Sequence, residues 1–132
     1  MRKFHDSEEA RSYSWARDRS EKTRVATAAM LVLTTCGSAE EAESLAVQLV
    51  GTREAACVNR ISNVTSTYRW EGEVHNDEET LLLIKTTEDR LADVERTIRE
   101  RSNYELPELI AVRVDTGSSS YLDWLAGAVT EE

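Results

Sequence analysis

The stretch from Ala55 to Thr87, AACVNRISNVTSTYRWEGEVHNDEETLLLIKTT, leaves the chain few ways to fold. It reads as one long β-hairpin. Val58, Ile61, Val64, Thr65, Thr67, Tyr68 and Trp70 on the first arm are β-branched or aromatic and suit a pleated, half-buried surface. Glu71-Gly72 places a residue free to adopt positive φ at the turn. The second arm changes along its length: Glu73 to Glu79 is mostly polar, whereas Leu81, Leu82, Leu83 and Ile84 are apolar on both faces of a strand. Such a strand needs cover on both sides. A helix supplies one cover, and in a chain this short the expected second cover is another copy of the same protein.

The other segments follow from periodicity. Ala28 to Thr35 is an almost continuous apolar run, as in a buried central strand. Ser38 and Glu41 have the spacing of a capping box, and Ala39, Ala42, Leu45, Ala46, Leu49 and Val50 recur at helical spacing until Gly51. After the hairpin, Thr87 is placed to cap a second helix with Leu91, Val94 and Ile98 inward, ending around Arg101 to Tyr104. Pro107 cannot continue that helix; Ile110, Val112 and Val114 alternate as a strand, and Thr116 to Ser120 is a loop. A last short helix carries Tyr121, Trp124, Leu125 and Ala128 on one side. The order β-α-β-β-α-β-α is that of a ferredoxin-like α+β sandwich, an antiparallel sheet with two helices on one face. An overlong hairpin and an apolar open face predict an oligomer.

At 132 residues and 40% hydrophobic content, one domain with its own core is expected. The net charge is −9, yet residues 1–24 hold seven Lys/Arg against five Asp/Glu, so the acidity lies in the remainder. That remainder repels nucleic acid and anionic membrane surfaces, and it attracts cations. Residues 1–24, with Phe4, Tyr13 and Trp15 as their large apolar side chains, are expected to be disordered or docked loosely through Trp15; the domain proper is expected over 25–132. No apolar run follows the first charges and no 18-residue apolar stretch occurs, which points to the cytoplasm. Cys36 and Cys57 are expected as free thiols there.

Five motifs then stand in series: Ala55-Ala56-Cys57-Val58-Asn59, Ser66 to Gly72 (STYRWEG), Leu83 to Thr87 (LIKTT), Tyr104 to Glu108 (YELPE) and Tyr121-Leu122-Asp123-Trp124. In content, order and spacing this series resembles the CutA family of divalent-cation tolerance proteins, over about Met30 to Ala126. The resemblance implies a cytoplasmic homotrimer, similar in architecture to PII signalling proteins, that is linked to tolerance of copper and other divalent cations and to no firmly attached catalytic activity. In copper-binding members a cysteine ends the first strand and a histidine precedes a Pro-Tyr pair; matched by position these are Thr34 and Ser102 here, with Asn103 in place of the proline. A hydroxyl does not replace thiolate or imidazole toward copper.

Two other groups are weighed for copper(II) or another divalent cation. Cys36 sits at a strand-to-helix turn, where a helix N-terminus would lower its pKa and expose it, although a lone cysteine there is more often a packed residue. His75 lies near Asp77, Glu78 and Glu79, a cluster that is more often a solvated strand end. Alternation places Cys57 on a buried face. A small-molecule site is the other candidate. Lys85, Glu108 and Tyr104, joined by Tyr68 and Trp70 from a neighbouring subunit, would make an inter-subunit cleft for a small molecule, or else would brace the trimer. Trp124 is expected in the core or an interface. No phosphate loop, G-x-S-x-G or histidine paired with a nucleophile is present, so a binding protein is expected rather than an enzyme, with a protein partner open.

Overall fold

The computed structural model describes residues 23–24 and 27–130. The expected docking through Trp15 therefore lies outside the described residues. Strands β1 (Thr23–Arg24), β2 (Ala29–Cys36), β3 (Cys57–Trp70), β4 (Glu73–Thr87), β5 (Ile110–Arg113) and β6 (Gly117–Ser118) alternate with helices α1 (Ala39–Gly51), α2 (Leu91–Arg101) and α3 (Ser119–Ala128). The main sheet is antiparallel, in the order β3-β4-β2-β5. With α1 and α2 packed on one face, this is the ferredoxin-like sandwich. Strand β1 pairs with β6 inside the expected Thr116–Ser120 loop.

Parity decides what each strand buries. Val32 pairs with Ile84 and Thr34 with Leu82, and all four face the helices with at most 1% exposure. They form the core with Ala42, Leu45 and Leu49 of α1 and Val94 and Ile98 of α2. The alternate residues, Leu31, Leu33, Leu81 and Leu83, lie on the other face and are only half-buried. Ile61, Ile110 and Val112 extend that stripe at 44%, 54% and 50% exposure. The expected β5 is thus present, but its apolar alternation faces away from the helices. Helix α3 covers one end of this open face, where Leu122, Leu125 and Val129 pack on Ala29 and Ala56.

Several local expectations change in detail. Ser38 caps α1 by accepting from Glu41 N at 3.1 Å, while the Glu41 carboxylate accepts from Gly37 N at 3.3 Å, one residue earlier than a capping box requires. Gly51 is the last helical residue; Arg53, at φ 63°, makes the left-handed turn, and Val50 stays largely exposed. Thr87 does not cap α2: its hydroxyl donates to Asp89 Oδ1 at 2.5 Å, and a 3₁₀ turn, Glu88–Arg90, precedes the helix. In α3 the inward face falls on Leu122 rather than Trp124, which is 48% exposed and tilted against Tyr121.

The hairpin turn takes positive φ at both Glu71 (51°) and Gly72 (83°), the pattern whose twist matches paired strands. A second irregularity matters more. Between Ile61 and Val64 the register slips, with Asn63 at φ 62°. This bulge changes the parity of β3, so Ser66, Tyr68 and Trp70 come onto the same face as Ile61. Asparagine tolerates left-handed backbone better than other non-glycine residues. Replacing Asn63 by glycine should leave stability within about 0.5 kcal/mol in urea unfolding, whereas Asn63→Val should lower it by about 1–2 kcal/mol. Equal stabilities for the two variants would mean that the bulge does not depend on the residue.

Candidate functional site

Beyond the bulge the hairpin outruns β2, and the irregular segment between α2 and β5 folds over it. Between them lies a cleft of roughly 600 Å³. Thr35 closes its floor, Tyr68, Trp70 and Glu79 come from the hairpin, and Tyr104 and Glu108 come from the overlying segment. Pro107 keeps that segment out of a helix. Four contacts then fix it. Thr34 Oγ1 donates to Glu108 O at 2.6 Å, Asn103 N donates to Glu41 Oε2 at 3.2 Å, Tyr104 N donates to Ser102 Oγ at 3.0 Å, and the Tyr104 hydroxyl donates to Glu79 Oε2 at 2.5 Å. A Cβ on Gly37 would come within 3.3 Å of the Tyr104 hydroxyl oxygen, so glycine there lets the ring lie close.

The cleft is acidic. Burial, then repulsion from Glu79, raises the Glu108 carboxyl above the ordinary carboxylate range. Burial and the bond to Glu79 push the Tyr104 phenol well above its usual value. Tyr68 donates its hydroxyl to Asp77, which raises its pKa first through that bond, and its ring stacks on His75 with centroids 5.5 Å apart. The lining includes no lysine or arginine.

Four of the five cleft candidates, Tyr68, Trp70, Tyr104 and Glu108, therefore come together, and they do so within one chain. Lys85 does not join them. It pairs in register with Cys57 and Leu31 at the opposite end of the open face, where its ammonium lies 5.8 Å from the centre of the Tyr121 ring. Glu79 and Thr35 were missed. Glu79 looked like part of a solvated acidic run, yet it shares parity with Leu81 and Leu83, and that parity was the available signal.

The metal candidates are placed differently from expectation. Cys36 is 2% exposed and packed in the core; burial, with Glu41 and Glu79 adding to it, pushes its thiol up to about 11 instead of lowering it. Desolvation outweighs the helix terminus. Cys57 is half-buried on the open face beside Lys85, not on the core face. His75 meets the Tyr68 ring, and its neighbour Asp77 is engaged by the Tyr68 hydroxyl. Among the described residues no three His, Cys, Asp or Glu side chains gather to hold a metal ion. Thr34 and Ser102 are both committed to internal hydrogen bonds.

The raised carboxyl of Glu108 has a thermodynamic consequence. Its ionisation is harder in the fold than in the unfolded chain, so the fold is penalised as pH rises through the raised value and is not penalised below the ordinary 4.5. Glu108→Gln should raise the Tm at pH 7, with the gain fading as the pH falls toward 4.5 and absent well below it. A gain independent of pH would show that charge is not the cause.

Residues 30–128 match the family described as CutA1 divalent ion tolerance protein. The divalent-cation tolerance protein CutA of Thermus thermophilus is 43% identical over 95 residues, which span 72% of this chain and 92% of that one. The chloroplastic protein CutA 1 of Oryza sativa is 35% identical over 118 residues, spanning 89% and 67%. Among solved structures, CutA from Synechococcus elongatus superposes with a TM-score of 0.78 at 30% identity, covering 82% of this chain and 96% of that one. Family match, identity and superposition agree over the sheet, its helices and the segment that roofs the cleft, and the chain belongs to the CutA1 family of divalent ion tolerance proteins.

Proposed function

We propose that this protein takes part in the response to divalent metal ions, copper among them, as a cytoplasmic homotrimer that binds rather than catalyses. Its family supports the role in metal-ion response. The observation that carries the assembly is the open sheet face. Leu31, Leu33, Leu81, Leu83, Ile61, Ile110 and Val112 form one apolar stripe that the helices among the described residues leave uncovered. A contiguous apolar surface of this kind marks an interface. Two free cysteines suit a reducing compartment, although names within the family include chloroplastic and periplasmic forms.

A second reading has its own support. Tyr68, Trp70, Tyr104 and Glu108 converge on a cleft of a size that takes small molecules, while the positions of the expected copper ligands carry hydroxyls used elsewhere. In this reading the trimer is a PII-like signalling or scaffold module, and the cleft binds a small molecule or a protein partner.

Calorimetric titration of the metal-free protein with copper(II) separates the two. The first reading expects saturable binding that survives Cys36→Ser, because that thiol is buried, and that weakens when His75→Ala and Glu79→Gln are combined. No heat beyond dilution would reject direct copper binding and leave the second reading.

A further inference from the structure

We propose that the cleft binds a small organic cation, an amine or a quaternary ammonium, seated against Trp70 and Tyr68 and neutralised by Glu79 and Glu108. This rests on the second reading above, that the cleft is a ligand site and not a brace. Three observations carry it.

The first is an unanswered charge. Glu79 accepts from Tyr104, but the Glu108 carboxylate has no hydrogen bond or ion pair among the described residues, although it is half-buried and sits near Glu79. Two carboxylates in a shared, partly desolvated space repel each other, and a cation between them removes that cost.

The second is an unused polar group. Thr35 is 8% exposed, points to the open face by its register opposite Leu81, and lines the cleft floor. Its hydroxyl has no hydrogen-bond partner among the described residues, whereas Thr34, its neighbour on the helix side, is bonded at 2.6 Å. This hydroxyl is not sealed in the core but opens onto the cleft, where it is placed to accept from an N–H donor.

The third is the shape and chemistry of the walls. Trp70 and Tyr68 remain 36% and 42% exposed, and both line the cleft. Indole and phenol faces attract cations that are weakly hydrated. A bare divalent ion is a poorer match, because it needs several oxygen or nitrogen ligands in its first shell and the described residues assemble no such set. A space of roughly 600 Å³ also far exceeds a single ion. The two carboxylates, the aromatic wall and the hydroxyl acceptor at the floor together specify a positively charged group attached to a carbon skeleton.

The test is a titration of the full chain with tetramethylammonium, putrescine and benzylamine, followed by tryptophan fluorescence and calorimetry, with citrate as the anionic comparison. The proposal expects saturable binding of at least one of the three cations, weakened tenfold or more by Glu108→Gln and by Trp70→Leu, and no binding of citrate. Because Glu108→Gln is expected to leave the protein folded and more stable, lost binding there reports on the site. Citrate binding that is lost in Trp70→Leu but unchanged in Glu108→Gln would keep the cleft as a ligand site and overturn its cation preference. No saturation by any of these probes, or cation binding indifferent to both variants, would overturn the assignment of the cleft to an organic cation altogether.

Discussion

Strand β4 requires cover on both of its faces, and the remaining elements are placed by how that requirement is met. Leu82 and Ile84 are fully buried beneath α1 and α2, so the core grows on that side. Leu81 and Leu83 sit one residue out of phase and receive no helix among the described residues, because α3 reaches only the end of the sheet near Ala29 and Ala56. Burial of an apolar side chain is worth about 1.5–3 kcal/mol, so a stripe of seven such residues left half in water is a large unused driving force. The trimer proposed here uses that force.

The same strand continues past the sheet and changes role as it does so. Where β4 outruns β2 its residues turn from leucine to carboxylate, and the bulge at Asn63 brings Tyr68 and Trp70 of β3 onto the matching face. The cleft is thus an extension of the apolar face by other means. Its roof depends on Thr34, which holds the backbone of Glu108, and on Glu41, which holds Asn103. Family resemblance placed Thr34 and Ser102 at copper-ligand positions, and here both residues brace the roof of the cleft.

Much of this was legible in the residues. Runs and alternation located every strand of the main sheet and the three α-helices among the described residues, because apolar period is a direct record of burial. Tyr104, Glu108 and the aromatic pair on β3 were expected to share a cleft, but with the pair supplied by a neighbouring subunit, whereas here they line one cleft within a single chain. Three things were not legible. The bulge depends on a one-residue register slip that no period shows, so the face taken by Tyr68 and Trp70 was not set by alternation. Lys85 looked like a cleft residue because it closes the apolar strand, but the strand is long enough to put it at the far end, under Tyr121. Cys36 was judged by its helix terminus, whereas its pKa is governed by burial among Val32, Ala42 and Leu82, which local sequence does not report.

The claim on which the account turns is that the open face is covered by other copies of this chain. Sedimentation velocity of the full chain at micromolar concentration, with and without Leu83→Glu, tests it most directly. The account predicts a single species of three times the chain mass for the unaltered protein, and dissociation when a carboxylate is placed in the centre of the stripe. A well-folded monomer in the unaltered protein would contradict it, as would a trimer indifferent to that substitution.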